Sequence, residues 1–149
     1  MRLTVLAATL AAALALPAAA EDAFVRKTSP HGVATTMDRL AAAIEGAGAT
    51  VVARIDHAAA AERSGMELRP TEVIVFGNPM VGTPMMQAGQ SIALDLPLKV
   101  AAWEDADGTV HVIYRDIRAV ATEHGADAPT VAKAAGALDR LTGAAIAPE

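Results

Sequence analysis

The sequence predicts an α+β domain of two layers, a mixed sheet of about five strands with helices packed mainly on one face. Three observations predict it. Five short runs are rich in β-branched and aromatic residues, apolar stripes at steps of three and four lie between and after them, and the length suits a single core. Of 149 residues the first twenty have a different character, so residues 21–149 are expected to form that one domain. A chain of that size buries roughly two thirds of its extended surface, enough for a core without metal or disulfide staples.

The elements follow in order. Met1 and Arg2 precede an apolar run from Leu3 to Leu16, and Ala18, Ala19 and Ala20 supply small residues before Glu21. That pattern is a secretory signal peptide, residues 1–20, cut near Ala20, and it sends the mature protein to the periplasm or the medium. The run falls short of the ~20 residues a spanning helix needs, so no membrane contact is expected of the mature form. There is no cysteine, hence neither a lipid-anchored Cys nor a disulfide.

Ala23 to Thr28 reads as a first strand, stopped by Ser29-Pro30-His31-Gly32. Val33, Met37, Leu40, Ala41 and Ile44 then fall on one helical face, with Gly32 as N-cap and Gly46 and Gly48 at the end. Thr50 to Asp56 is a second strand, and His57 to Arg63 a short helix capped by Asp56. Glu72 to Phe76 is a buried third strand. After it, Pro84 suits the first turn of a helix with Thr83 as cap, and Gly89 breaks that helix. Ser91 to Pro97 is expected to make a further helical turn. Leu98 to Glu104 and Thr109 to Tyr114 are strands of an antiparallel hairpin turned by Asp105-Ala106-Asp107-Gly108. Asp116 caps a helix from Ile117 to His124 that Gly125 ends, and Asp127 with Pro129 opens a last helix to Gly143, followed by a loose tail.

Charge and composition exclude several functions. The mature chain carries 11 Lys and Arg against 17 Asp and Glu, a net charge of −6, with one Trp, one Tyr and two Phe. Nucleic-acid binding needs the cationic surface and stacking platforms that are missing, so no nucleic-acid partner is expected.

Asp56-His57-Ala58-Ala59, Leu68-Arg69-Pro70-Thr71-Glu72, Phe76-Gly77-Asn78-Pro79 with Gly82-Thr83-Pro84 and Met86-Gln87, Ala93 to Leu98, and Trp103-Glu104-Asp105 occur in this order and spacing. Together they resemble the domain of unknown function 302 family, over roughly Phe24 to His124. The resemblance implies a small α/β domain of that family's fold, often self-associating and found in prokaryotic proteins that include exported ones. It implies no reaction. Where the family often has a basic residue after Asn-Pro this chain has Met80, and Ile117 stands where Pro is usual after Tyr114-Arg115-Asp116. The first change removes a cation from the loop.

The candidate site is the stretch from Asn78 to Gln87. A strand end, a tight turn and a helix start gather backbone N–H groups there, and Asn78, Gly82, Thr83 and Gln87 supply polar groups or close backbone approach. Asp56 and His57, a carboxylate beside an imidazole, could serve acid–base chemistry, although helix capping by Asp56 with His57 packed at the first turn accounts for the pair better. Asp95, between Leu94 and Leu96, is either a partly buried acid or a group on the exposed side of a turn. Met80, Met85 and Met86 with four histidines offer soft-metal ligands, but their spacing matches no metal motif and core filling explains them. No cofactor or metal is expected. The mature serines Ser29, Ser64 and Ser91 lack a nucleophile-elbow context. The first reading is a non-enzymatic exported module that binds a small ligand or a partner beside this loop and forms a homodimer. Its alternatives are an enzyme using Asp56 and His57, and a periplasmic copper-type binder.

Overall fold

The structure, a computed structural model, describes residues 23–148. The signal-peptide reading falls on residues 1–20 and lies outside the described residues. The elements run β1 (Phe24–Ser29), α1 (Val33–Gly46), β2 (Thr50–Asp56), α2 (His57–Arg63), β3 (Thr71–Gly77), α3 (Pro79–Ala88), a 3-10 turn (Gln90–Leu94), β4 (Leu98–Glu104), β5 (Val110–Arg115), α4 (Ile117–His124) and α5 (Pro129–Ile146).

The five strands form one sheet in the order β1-β5-β4-β3-β2, and every neighbouring pair is antiparallel. The α+β class stands, with a sheet antiparallel throughout rather than mixed. The cause is the first connection. The opening strand, helix and strand do not make a parallel pair, because α1 carries the chain from one edge of the sheet to the other. Each later strand then reverses onto its neighbour.

Alternation along the strands sets the layers. Ile74 and Phe76 of β3, Val100 and Ala102 of β4, and Val110, Val112 and Tyr114 of β5 are buried, while the residues between them are half-buried. Onto the buried face α1 places Val33, Met37, Leu40 and Ile44, and α5 places Ala134, Leu138 and Leu141. Each large side chain removed from water in this core stabilises the fold by ~2 kcal/mol before chain entropy is counted.

Two boundaries differ from expectation. The helix after β3 begins at Pro79 with Asn78 as its cap, so Thr83 is not a cap and Pro84 lies inside the helix. α5 continues past Gly143 to Ile146, and Ala145 is buried. Its last carbonyls explain the extension. Arg39 donates from Nε to Ala145 O and from Nη2 to the carbonyls of Ala144 and Ala147, and His31 Nε2 bonds Ala147 O. A guanidinium such as that of Arg39 on the unsatisfied end of a helix is favourable for charge as well as for hydrogen bonding.

Candidate functional site

The site begins where β3 stops. Asn78 has extended backbone and its Oδ1 accepts from Met80 N at 2.9 Å, which caps α3, while its Nδ2 donates to Gly48 O at 3.2 Å. Pro79 follows at the first helical position, where a missing N–H costs nothing. The amide of Asn78 is therefore used within the chain, tying the entry to β2 to the start of α3.

Beside it a groove of about 500 Å³ is open to solvent, within the size range of small-molecule sites. One wall is α3, through Val81, Met85 and Met86; the other is Leu96, Pro97 and Leu98, and Thr50 and Val52 at the edge of the sheet close one end. Gly82 and Thr83 also line it. The interior is chiefly apolar, with Asn78, Thr50 and Thr83 as polar groups on it. At Gly82 an added Cβ would stand 3.6 Å from Leu96 Cδ1, so a larger side chain there would occupy the groove. Val52, which lines the groove, is 62% exposed, and Met80, in the first turn of α3, is 80% exposed. On the far side of Asn78 and Val81 a smaller recess of about 180 Å³ opens toward α5, where Lys133 and Arg140 line it.

The other candidates are placed elsewhere. Asp56 Oδ1 accepts from Ala59 N at 2.8 Å, the cap of α2, and with His57 it stands at the opposite end of β2 from Thr50, about 20 Å away at strand rise. Gln87 is exposed near the end of α3 and does not line the groove. Among the methionines, Met37 and Met85 are fully buried in the core and Met66 and Met80 lie on the surface.

Asp95 stands at the C-terminal cap of the 3-10 turn, where its backbone N–H bonds Ile92 O, and its side chain is half-buried in a cluster rather than free on a turn. Its Oδ1 accepts from Arg115 Nη1 at 2.8 Å and its Oδ2 meets His124 Nε2 at 2.8 Å. Arg115 Nη2 donates to both oxygens of Glu123, at 2.6 and 2.7 Å, and His124 Nδ1 meets Ser91 Oγ at 2.9 Å. The His124 hydrogen bond holds the Asp95 carboxyl below its ordinary range, against the opposing cost of burial and with help from Arg115.

The apolar walls and this cluster are what sequence reading missed. Met85, Met86 and Leu96 carried the signal for the groove, as apolar residues on both sides of the Gly89 break. In the cluster Asp95 stands out in sequence as an apolar-flanked acid, but nothing along the chain joins it to its partners, because Ser91 and Asp95 lie 33 and 29 positions from His124.

A family model described as domain of unknown function DUF302 matches residues 25–147. The chain is 42% identical over 104 residues to a protein of Brucella suis biovar 1 (strain 1330) named fluoride-specific ion channel FluC 1, covering 70% of this chain and 41% of that protein. A protein of the same name from Brucella abortus biovar 1 (strain 9-941) matches at 42% over 104 residues, 38% of its length. The chain thus spans about two fifths of the curated relatives it matches. Among solved structures, a crystal structure of an uncharacterized conserved protein DUF302 from Bacillus stearothermophilus superposes with a TM-score of 0.66 at 15% identity, over 85% of this chain and 97% of that one. That likeness establishes a shared fold.

Proposed function

The chain belongs to the DUF302 family, and from that premise we propose that it is an exported module that binds a small amphipathic ligand in the groove beside Asn78 and that self-associates. The observation that carries the reading is the groove itself, an open apolar cleft with a few polar groups at its margin. An apolar body would lie between α3 and Leu96. The cations Lys133 and Arg140, in the adjoining recess, favour an acidic head, in a chain whose overall charge would otherwise repel one.

Self-association has its own support. Across the half-buried face of the sheet, Ile55, Val73, Ala101 and Ile113 stand in register on four successive strands. Ile55 and Phe24, toward its two edges, are 43% and 44% exposed. An apolar row of that kind is what a second copy would cover.

Native mass spectrometry on protein recovered from the export compartment tests the three parts together. The expected spectrum is a dimer whose subunits lack residues 1–20 and carry a releasable apolar acid. Ligand-free subunits, with no saturable binding of a long-chain carboxylate afterwards, would remove the binding role; Gly82→Phe, which fills the groove, should abolish such binding in folded protein.

A further inference from the structure

Ser91, His124 and Asp95 form a hydrogen-bonded series outside the groove. Ser91 is exposed, the His124 side chain is 15% exposed and that of Asp95 23%. An ionised carboxylate can only accept, so His124 Nε2 donates to Asp95 at 2.8 Å, and in the neutral imidazole the lone pair of Nδ1 then faces the Ser91 hydroxyl at 2.9 Å. Arg115, on the other Asp95 oxygen and gripped by Glu123, fixes the carboxylate in place. A nucleophile beside a base that is oriented by a third group is the arrangement that activates a serine. In the 3-10 turn, residues three apart lie on one face, so Leu94 stands beside Ser91, and it is 83% exposed.

From this geometry we infer that Ser91 is the nucleophile of a second site, which transfers the acyl group of an ester with a short apolar chain, His124 acting as general base. Ser91 Oγ bonds to the ester carbonyl carbon while its proton passes to Nδ1 of His124. The bond from that carbon to the alcohol oxygen breaks, and the alcohol leaves with the proton. Water then attacks the acyl-serine, giving its proton to His124; the carbon–Oγ bond breaks, the carboxylic acid departs, and Ser91 recovers its proton. Leu94 lies against the apolar chain. The inference goes beyond the binding role and does not depend on the groove.

The test is labelling of the whole mature protein with a fluorophosphonate, with the adduct mapped by peptide mass spectrometry, beside release of nitrophenol from p-nitrophenyl butyrate. Wild type should be labelled at Ser91 and not at Ser64, an exposed serine whose hydroxyl donates to Ala60 O at 3.2 Å. Ser91→Ala should abolish both signals. His124→Asn keeps hydrogen-bonding groups toward both neighbours but cannot take the proton, so labelling should slow by about 100-fold in a protein that still unfolds cooperatively. Equal labelling of Ser64 and Ser91 in wild type, or none at Ser91, overturns the inference without need of any variant. A folded His124→Asn protein labelled at the wild-type rate overturns it as well.

Discussion

Glu72 is a carboxylate on the covered face of β3, only 7% exposed, in line with Ile74 and Phe76. Its partner is Arg54 of β2, whose Nε donates to Glu72 Oε2 at 2.6 Å and whose guanidinium also bonds Asp38 on α1. The Glu72 hydrogen bond, then that of Asp38, raise the Arg54 pKa well above its ordinary value. Glu72 is buried but the Arg54 side chain is 33% exposed, so Arg54→Leu should leave the carboxylate without its partner at a cost tempered by solvent, about 1–2 kcal/mol. Replacing both, Arg54→Leu with Glu72→Leu, should recover most of that loss, and urea unfolding of the two variants checks it. Asp95 gives a residue-scale expectation for pH. Its folded pKa is depressed, so the stability it contributes is present above the ordinary carboxylate pKa of about 4 and is lost as pH falls through the lower folded value. Acid unfolding should show it directly, because Asp95→Asn removes that contribution and should flatten the dependence of stability on pH below about 4.

At the scale of elements, two glycines of α3 and its end behave in opposite ways. Gly82 sits inside the helix with room for a Cβ, so Gly82→Ala should raise stability by about 1 kcal/mol through helix propensity while narrowing the groove. Gly89 ends the helix with extended backbone and lies so close to α4 that a Cβ would stand 2.5 Å from His124 O and 3.1 Å from Ala126 Cβ. Gly89→Ala should therefore cost about 1–3 kcal/mol and disturb the Ser91 to His124 contact, seen as a lower melting temperature. These junctions also show what the sequence could tell. Asp56 and Asp116 were readable as caps because capping is local, and the stripe of Val33, Met37, Leu40 and Ile44 because periodicity is local too. The start of α3 was not, since Asn78-Pro79 and Thr83-Pro84 offer the same cap-and-proline signal five residues apart. Packing decides between them: Asn78 also bonds Gly48 O at the entry to β2, a partner that only the folded chain supplies. Asp95 was singled out as an apolar-flanked acid, but its partners come from β5 and α4 and could not be read along the chain.

For the whole molecule, the covered face and the half-buried face of one sheet divide the work. Helices α1 and α5 seal one side, so substitutions there act on folding, whereas Val73, Ala101 and Ile113 on the other side are the residues that the proposed self-association would cover. Ile113 faces Ala101 on β4 and Arg26 on β1, which places it one strand in from the β1 edge of the sheet. A charge at that point would face desolvation in a contact between copies, while in a monomer it would stay hydrated. Ile113→Lys should accordingly convert dimer to monomer in sedimentation at micromolar concentration with a change in monomer stability below about 1 kcal/mol. A variant that sediments as wild type would move the contact off this face, and the exposed edge of the sheet at Val52, beside the groove, would then be the surface to alter.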